Sequence, residues 1–223
     1  MTGDAESPAR PGPSEVTGDD PRPALVSFLT TEHFTLQGGR ASTIAESTGR
    51  ATMFLGSVSG GLIALGLVAS ATKVGDAFFA FGLVILPILT FVGLVTFERA
   101  LQTAIEDRGY AWRIARVRAR YFELVPELEP TLLVAPDEQL AVEGAVGARW
   151  QEWRSVAGMV AVVTAALAGS TVGLLVLVLS DHSLASGLIA GTLVFVAVVL
   201  GLMRVQRTTW YSASGALENI DAG

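Results

Sequence analysis

The stretch Ala51–Ala71, ATMFLGSVSGGLIALGLVASA, contains no ionisable side chain. Three further runs share this property, and each holds at least twenty residues: Ala77–Phe97, Val156–Leu179 and Leu184–Met203. A helix of about 20 apolar residues crosses the roughly 30 Å hydrocarbon core of a membrane. The sequence therefore predicts an all-α membrane protein with four transmembrane helices.

Composition and charge narrow the classes of function. Of the 223 residues, 51% are hydrophobic, so four membrane helices leave no room for a large second globular domain. The chain contains no cysteine, which excludes disulfide bonds, thiolate catalysis and zinc–thiolate sites. All basic residues except Lys73 are arginine, and with the richness in Ala, Gly and Val this is typical of a high-GC bacterial gene.

The arginines predict how the chain is oriented. All of them lie before the first apolar run, between the second and third, or after the fourth, whereas the short connections Thr72–Asp76 and Ser180–Ser183 hold only Lys73. Basic residues that flank membrane helices are retained in the cytoplasm. Both termini and the middle loop are therefore expected to be cytoplasmic, with the chain crossing the plasma membrane as two antiparallel hairpins.

The middle loop is predicted to form a helical cytoplasmic hairpin. Between Tyr110 and Leu124 apolar residues recur every three or four positions, and Pro126 then ends the helix. A second helix is expected to begin near Asp137, which follows a proline and can cap it.

The segment before the first run is predicted to be an amphipathic helix. Its apolar stripe runs from Leu25 to Leu36, and Gly38 and Gly39 are expected to break it. It would lie on the membrane or pack against the loop hairpin. The chain then divides into six segments: a disordered cytoplasmic tail (1–22), this juxtamembrane helical segment (23–50), transmembrane hairpin 1 (51–97), the cytoplasmic helical hairpin (98–155), transmembrane hairpin 2 (156–203) and a cytoplasmic C-terminal tail (204–223).

Small residues recur every fourth position in three of the runs. Lipid is as apolar as leucine, so membrane helices associate through close backbone approach at such positions. The alternative is that this spacing only reflects the abundance of glycine, since the chain contains 24. The predicted helix-packing residues are Gly56, Gly60, Ala161, Ala165, Gly169, Gly173, Gly187 and Gly191.

The second apolar run differs, since it is rich in phenylalanine and carries Pro87 near its centre. A proline inside a helix removes one backbone hydrogen bond and usually produces a kink. A more specific hypothesis is that Pro87 forms a hinge that gates the protein.

Four arginines, Arg113, Arg116, Arg118 and Arg120, follow the second run on the predicted cytoplasmic helix. Basic side chains near an anionic leaflet attract lipid headgroups, so these residues are candidates for contact with anionic lipid or an acidic partner. The alternative is a solvated face that only sets topology, which the neighbouring acidic residues favour. No nucleic acid is expected as a partner, because the loop is net negative.

Two short motifs carry a resemblance to a known group. The stretch Phe28–Gln37, FLTTEHFTLQ, and the entry Gly49-Arg50-Ala51 into the first run resemble those of small uncharacterised actinobacterial four-span membrane proteins. The resemblance implies a lineage and a topology, and it implies no mechanism.

Chemical groups for transport or catalysis are scarce. Ion-coupled carriers usually need an ionisable residue inside the bilayer, and the four runs have none. Glu32-His33 is a conceivable proton-transferring pair, but a surface or helix-packing histidine is the favoured explanation. We therefore predict no catalytic, cofactor-binding or metal-binding residue. A pore of several copies remains open, lined by hydroxyls that could equally bond their own helices: Ser57, Ser59, Thr164, Ser170, Thr171 and Thr192.

These observations favour a non-enzymatic scaffold, regulator or membrane effector that acts through its cytoplasmic helices. The expected partners are the lipid bilayer, further copies of the chain in a homo-oligomer, and a cytosolic protein. The alternative is a homo-oligomeric channel or small permease, with a membrane enzyme third.

Overall fold

The computed structural model describes residues 22–124, 155–180 and 183–221, and within these ranges it consists of four α-helices. They are α1 (Arg22–Thr72), α2 (Asp76–Leu124), α3 (Val156–Leu179) and α4 (Leu184–Asp221). Each is long and apolar enough to cross a membrane. For these residues, this confirms the prediction of an all-helical fold with four candidate spans. The segment expected to be an N-terminal tail and the helix expected near Asp137 lie outside the described residues.

The helix termini follow from local capping. At the end of α1, Lys73 adopts a left-handed conformation with φ 52°, and the Val74 amide donates to the Ala69 carbonyl at 3.1 Å. A left-handed residue followed by such a hydrogen bond is a common way for a helix to end before the chain turns back. At the start of α3, the Ser155 hydroxyl accepts a hydrogen bond from the Gly158 amide at 3.0 Å and caps the helix.

The helices pack in chain order. α1 lies against α2, α2 against α3, and α3 against α4, so α2 and α3 are central. Contacts between α1 and α2 run in opposite directions along the two helices, from Thr30 with Tyr121 at one end to Gly61 with Leu89 further along. The core is small and built mainly of aliphatic and small side chains around Phe54, which is 1% exposed. Most large side chains on the outer faces are exposed, as is expected of helices that lipid surrounds.

Glycines bring α3 and α4 into backbone contact. A Cβ atom on Gly169 would lie 2.6 Å from the Gly191 carbonyl oxygen, and one on Gly191 would lie 2.8 Å from the Gly169 carbonyl oxygen. Gly173 and Gly187 face each other in the same way one turn away, at 3.0 and 2.9 Å. No side chain fits at these distances, so the four glycines permit the close approach that holds the pair together.

The other predicted packing residues divide into two groups. Ala161 and Ala165 are fully buried in the core. Gly56 and Gly60, in contrast, are exposed, and nothing lies within 4 Å of a Cβ placed on either. Within this chain they are not packing contacts, because α1 turns a neighbouring face inward. Gly61, one residue and about 100° further round the helix, contacts Leu89 instead.

The expected break at Gly38 and Gly39 was wrong, because α1 runs through both residues without interruption. Each glycine costs about 1 kcal/mol relative to alanine inside a helix. Gly39 offsets that cost by packing, since a Cβ there would lie 2.8 Å from the Tyr110 ring of α2. α2 likewise continues through Pro87, whose ring is on an exposed face.

The glycine contact between α3 and α4 predicts a difference between two alanine substitutions. Gly191→Ala places a methyl group against the Gly169 carbonyl, whereas Gly201→Ala in the same helix meets open space. Both gain about the same helix propensity, so the difference between them isolates packing. We expect the free energy of unfolding of Gly191→Ala to be about 1–3 kcal/mol lower than that of Gly201→Ala. Denaturation of both variants in the same detergent measures the difference. Equal stability of the two variants would show that the helices are not in backbone contact.

Candidate functional site

The α1–α2 pair continues well past the apolar runs. Residues 22–50 of α1 and 98–124 of α2 are helical and lie beside each other. At 1.5 Å per residue these segments are about 40 Å long. We call this pair of segments the polar extension, because most of the charged residues that the structure describes lie on it.

Ion pairs hold the polar extension together. Arg40 donates to both oxygens of Asp107, from Nε to Oδ1 at 2.9 Å and from the second guanidinium nitrogen to Oδ2 at 3.4 Å. Both side chains are about 70% buried, with 31% and 27% exposed. Such a two-point contact between a guanidinium and a carboxylate fixes geometry as well as charge. Arg40 and Asp107 therefore fix the register of α1 on α2.

A second charge cluster lies closer to the apolar runs. Glu46 accepts from Arg50 at 2.9 Å within α1 and from Arg99 of α2 at 3.3 Å. The hydrogen bond and positive charge of Arg50, followed by those of Arg99, hold the pKa of the Glu46 carboxyl below its usual value. The carboxylate thus stays ionised at neutral pH and links the two helices at the base of the extension.

The second helix pair is tied to the same base. The Arg108 guanidinium of α2 lies 5.2 Å from the ring centroid of Trp210 in α4, which is a cation–π distance. Gln206, 1% exposed, donates from Nε2 to the Ser155 hydroxyl that caps α3, at 3.4 Å. Polar contacts of this kind connect all of α2, α3 and α4 at one end of the apolar bundle.

The four candidate arginines lie on two faces of α2. Arg113, Arg116 and Arg120 are exposed and share one face by their spacing, and Arg118 is partly buried on another. The Arg116 guanidinium stacks 4.7 Å from the Trp112 ring centroid, and Arg120 pairs with Glu123 in the next turn. Their contact with anionic lipid or an acidic partner stays a prediction.

Two phenylalanines stand out on the polar extension. Phe28 and Phe34 are 66% and 67% exposed, while Leu29 and Leu36 of the same helix are buried. The predicted amphipathic stripe therefore divides: its leucines at 29 and 36 pack inward, and Phe28 faces outward. Together with the exposed Leu25 and Ile44, these rings make this segment a candidate interaction surface.

An apolar groove lies at the other end of the bundle, next to the short connections. Its volume is about 550 Å³, and the groove is largely open. Side chains of all four helices line it, with Leu65 from α1 and Phe78 from α2 opposite the glycine-rich faces of α3 and α4. We call this cavity the outer groove.

Comparison with known proteins adds nothing to this geometry. No family model, curated protein or solved structure matches the chain. Within residues 22–124, 155–180 and 183–221, no three His, Asp or Glu side chains are grouped as metal ligands would be.

His33 lies between the two helices of the polar extension. Its Nε2 accepts a hydrogen bond from the Gln37 amide at 2.8 Å, and its buried Nδ1 meets no partner in the described part of the chain. Burial, and secondly the positive charge of Arg118, lower the pKa of His33. The neutral imidazole therefore predominates at pH 7.

This lowered pKa predicts that acid weakens the extension. The unfolded chain takes up a proton at His33 near pH 6.5, whereas the folded chain resists it. The free energy of unfolding should therefore fall as pH drops below that value. Denaturation should be measured at about pH 7.5 and about pH 5.5. Between these two values, the free energy of unfolding should fall less for His33→Gln than for the unchanged protein. An identical fall in the free energy of unfolding of both proteins would show that protonation of His33 is not coupled to folding. The contribution of Glu46, whose pKa is also lowered, is lost only at lower pH.

Proposed function

We propose that this chain is a multi-pass integral membrane protein that works as a non-enzymatic scaffold, regulator or membrane effector. The observation that carries the proposal is the polar extension: two paired helices, fixed in register by Arg40 and Asp107, that present exposed Phe28 and Phe34. The apolar runs, in contrast, hold no ionisable group with which to perform coupled transport.

The proposed topology is two transmembrane hairpins in the plasma membrane, with both termini and the middle loop in the cytoplasm. The arginine distribution supports it, because every arginine lies at the end of the bundle that continues into the polar extension or outside the described residues. The proposed lineage is that of the small actinobacterial four-span proteins which the Phe28–Gln37 motif resembles.

The proposed partners are the lipid bilayer, a second copy of the chain and a cytosolic protein. Gly56 and Gly60 support self-association, since their small surface faces away from the bundle. Phe28 and Phe34 support a protein partner, because covering two large rings would remove apolar surface from water.

The membrane hydroxyls favour this role over a homo-oligomeric channel or small permease. Ser57 donates to the Met53 carbonyl and Thr171 to the Leu167 carbonyl, each within its own helix. Thr164 is fully buried against Gly93. Ser57 and Thr171 are thus satisfied within their own helices, and Thr164 lies in the core, although its hydroxyl has no hydrogen-bond partner among the described residues.

The proposed topology is tested by labelling single cysteines. The chain has no cysteine of its own, so each introduced thiol is unique. Ser183→Cys, in the short connection after α3, should react with a membrane-impermeant maleimide on intact cells. Thr31→Cys, exposed on the polar extension, should react only after permeabilisation. Equal labelling of both in intact cells would contradict the orientation.

The interaction role is tested by photocrosslinking from the polar extension. A photoreactive phenylalanine analogue at position 34 should crosslink to another protein in cells, because this ring is largely uncovered. The same analogue at exposed Ser42, further along α1, is the control and should crosslink several-fold less. Phe28→Ser should weaken the product formed at position 34. Equal yields at both positions, or products confined to lipid, would contradict a protein partner there.

A further inference from the structure

We draw no further inference here: the strongest candidate, the outer face of α1 along which small residues recur every three or four positions from Gly38 to Ser59, is a stripe of small side chains, and nothing in the described part of the chain shows which partner covers it.

Discussion

Exclusion of charge from four apolar segments is the constraint on which the rest of this structure depends. Inside lipid the hydrophobic effect no longer drives helices together, so association must come from close contact. This is why Gly169 and Gly191 meet backbone against backbone. Because of the same constraint, every described arginine lies at one end of the bundle, where ion pairs can hold the helices together.

The molecule therefore uses two kinds of helix pairing. α3 and α4 meet through glycines, and α3 has no charged side chain with which to form an ion pair. α1 and α2, with 51 and 49 residues against 24 and 38, are longer, and beyond the apolar runs they rely on Arg40 with Asp107, and on Arg99 with Glu46. The first kind of contact leaves a groove open to lipid, and the second leaves phenylalanines exposed on a polar surface. Each surface follows from the way in which its helices are paired.

The features that the sequence predicted are those encoded by local patterns. The apolar runs, the helix after the second run and the glycines of α3 and α4 all depend on residues close together in the chain. The face that α1 turns inward could not be predicted, because both Gly56–Gly60 and Phe54–Val58–Gly61 have helical spacing and only the position of α2 decides between them. The Arg40–Asp107 pair was missed for a similar reason, since its partners are 67 residues apart. The break expected at Gly38 and Gly39 failed because intrinsic propensity was outweighed by a tertiary contact with Tyr110.

In the proposed topology, α1 passes from water into lipid partway along one continuous helix. Spin labels on single cysteines along its exposed side test this directly, through collision with a water-soluble nickel chelate and with oxygen. In bilayers, labels at Phe34 and Ile44 should collide with nickel, whereas labels at Met53 and Ile63 should be protected from nickel and reached by oxygen. Equal access of nickel to all four positions would contradict the account.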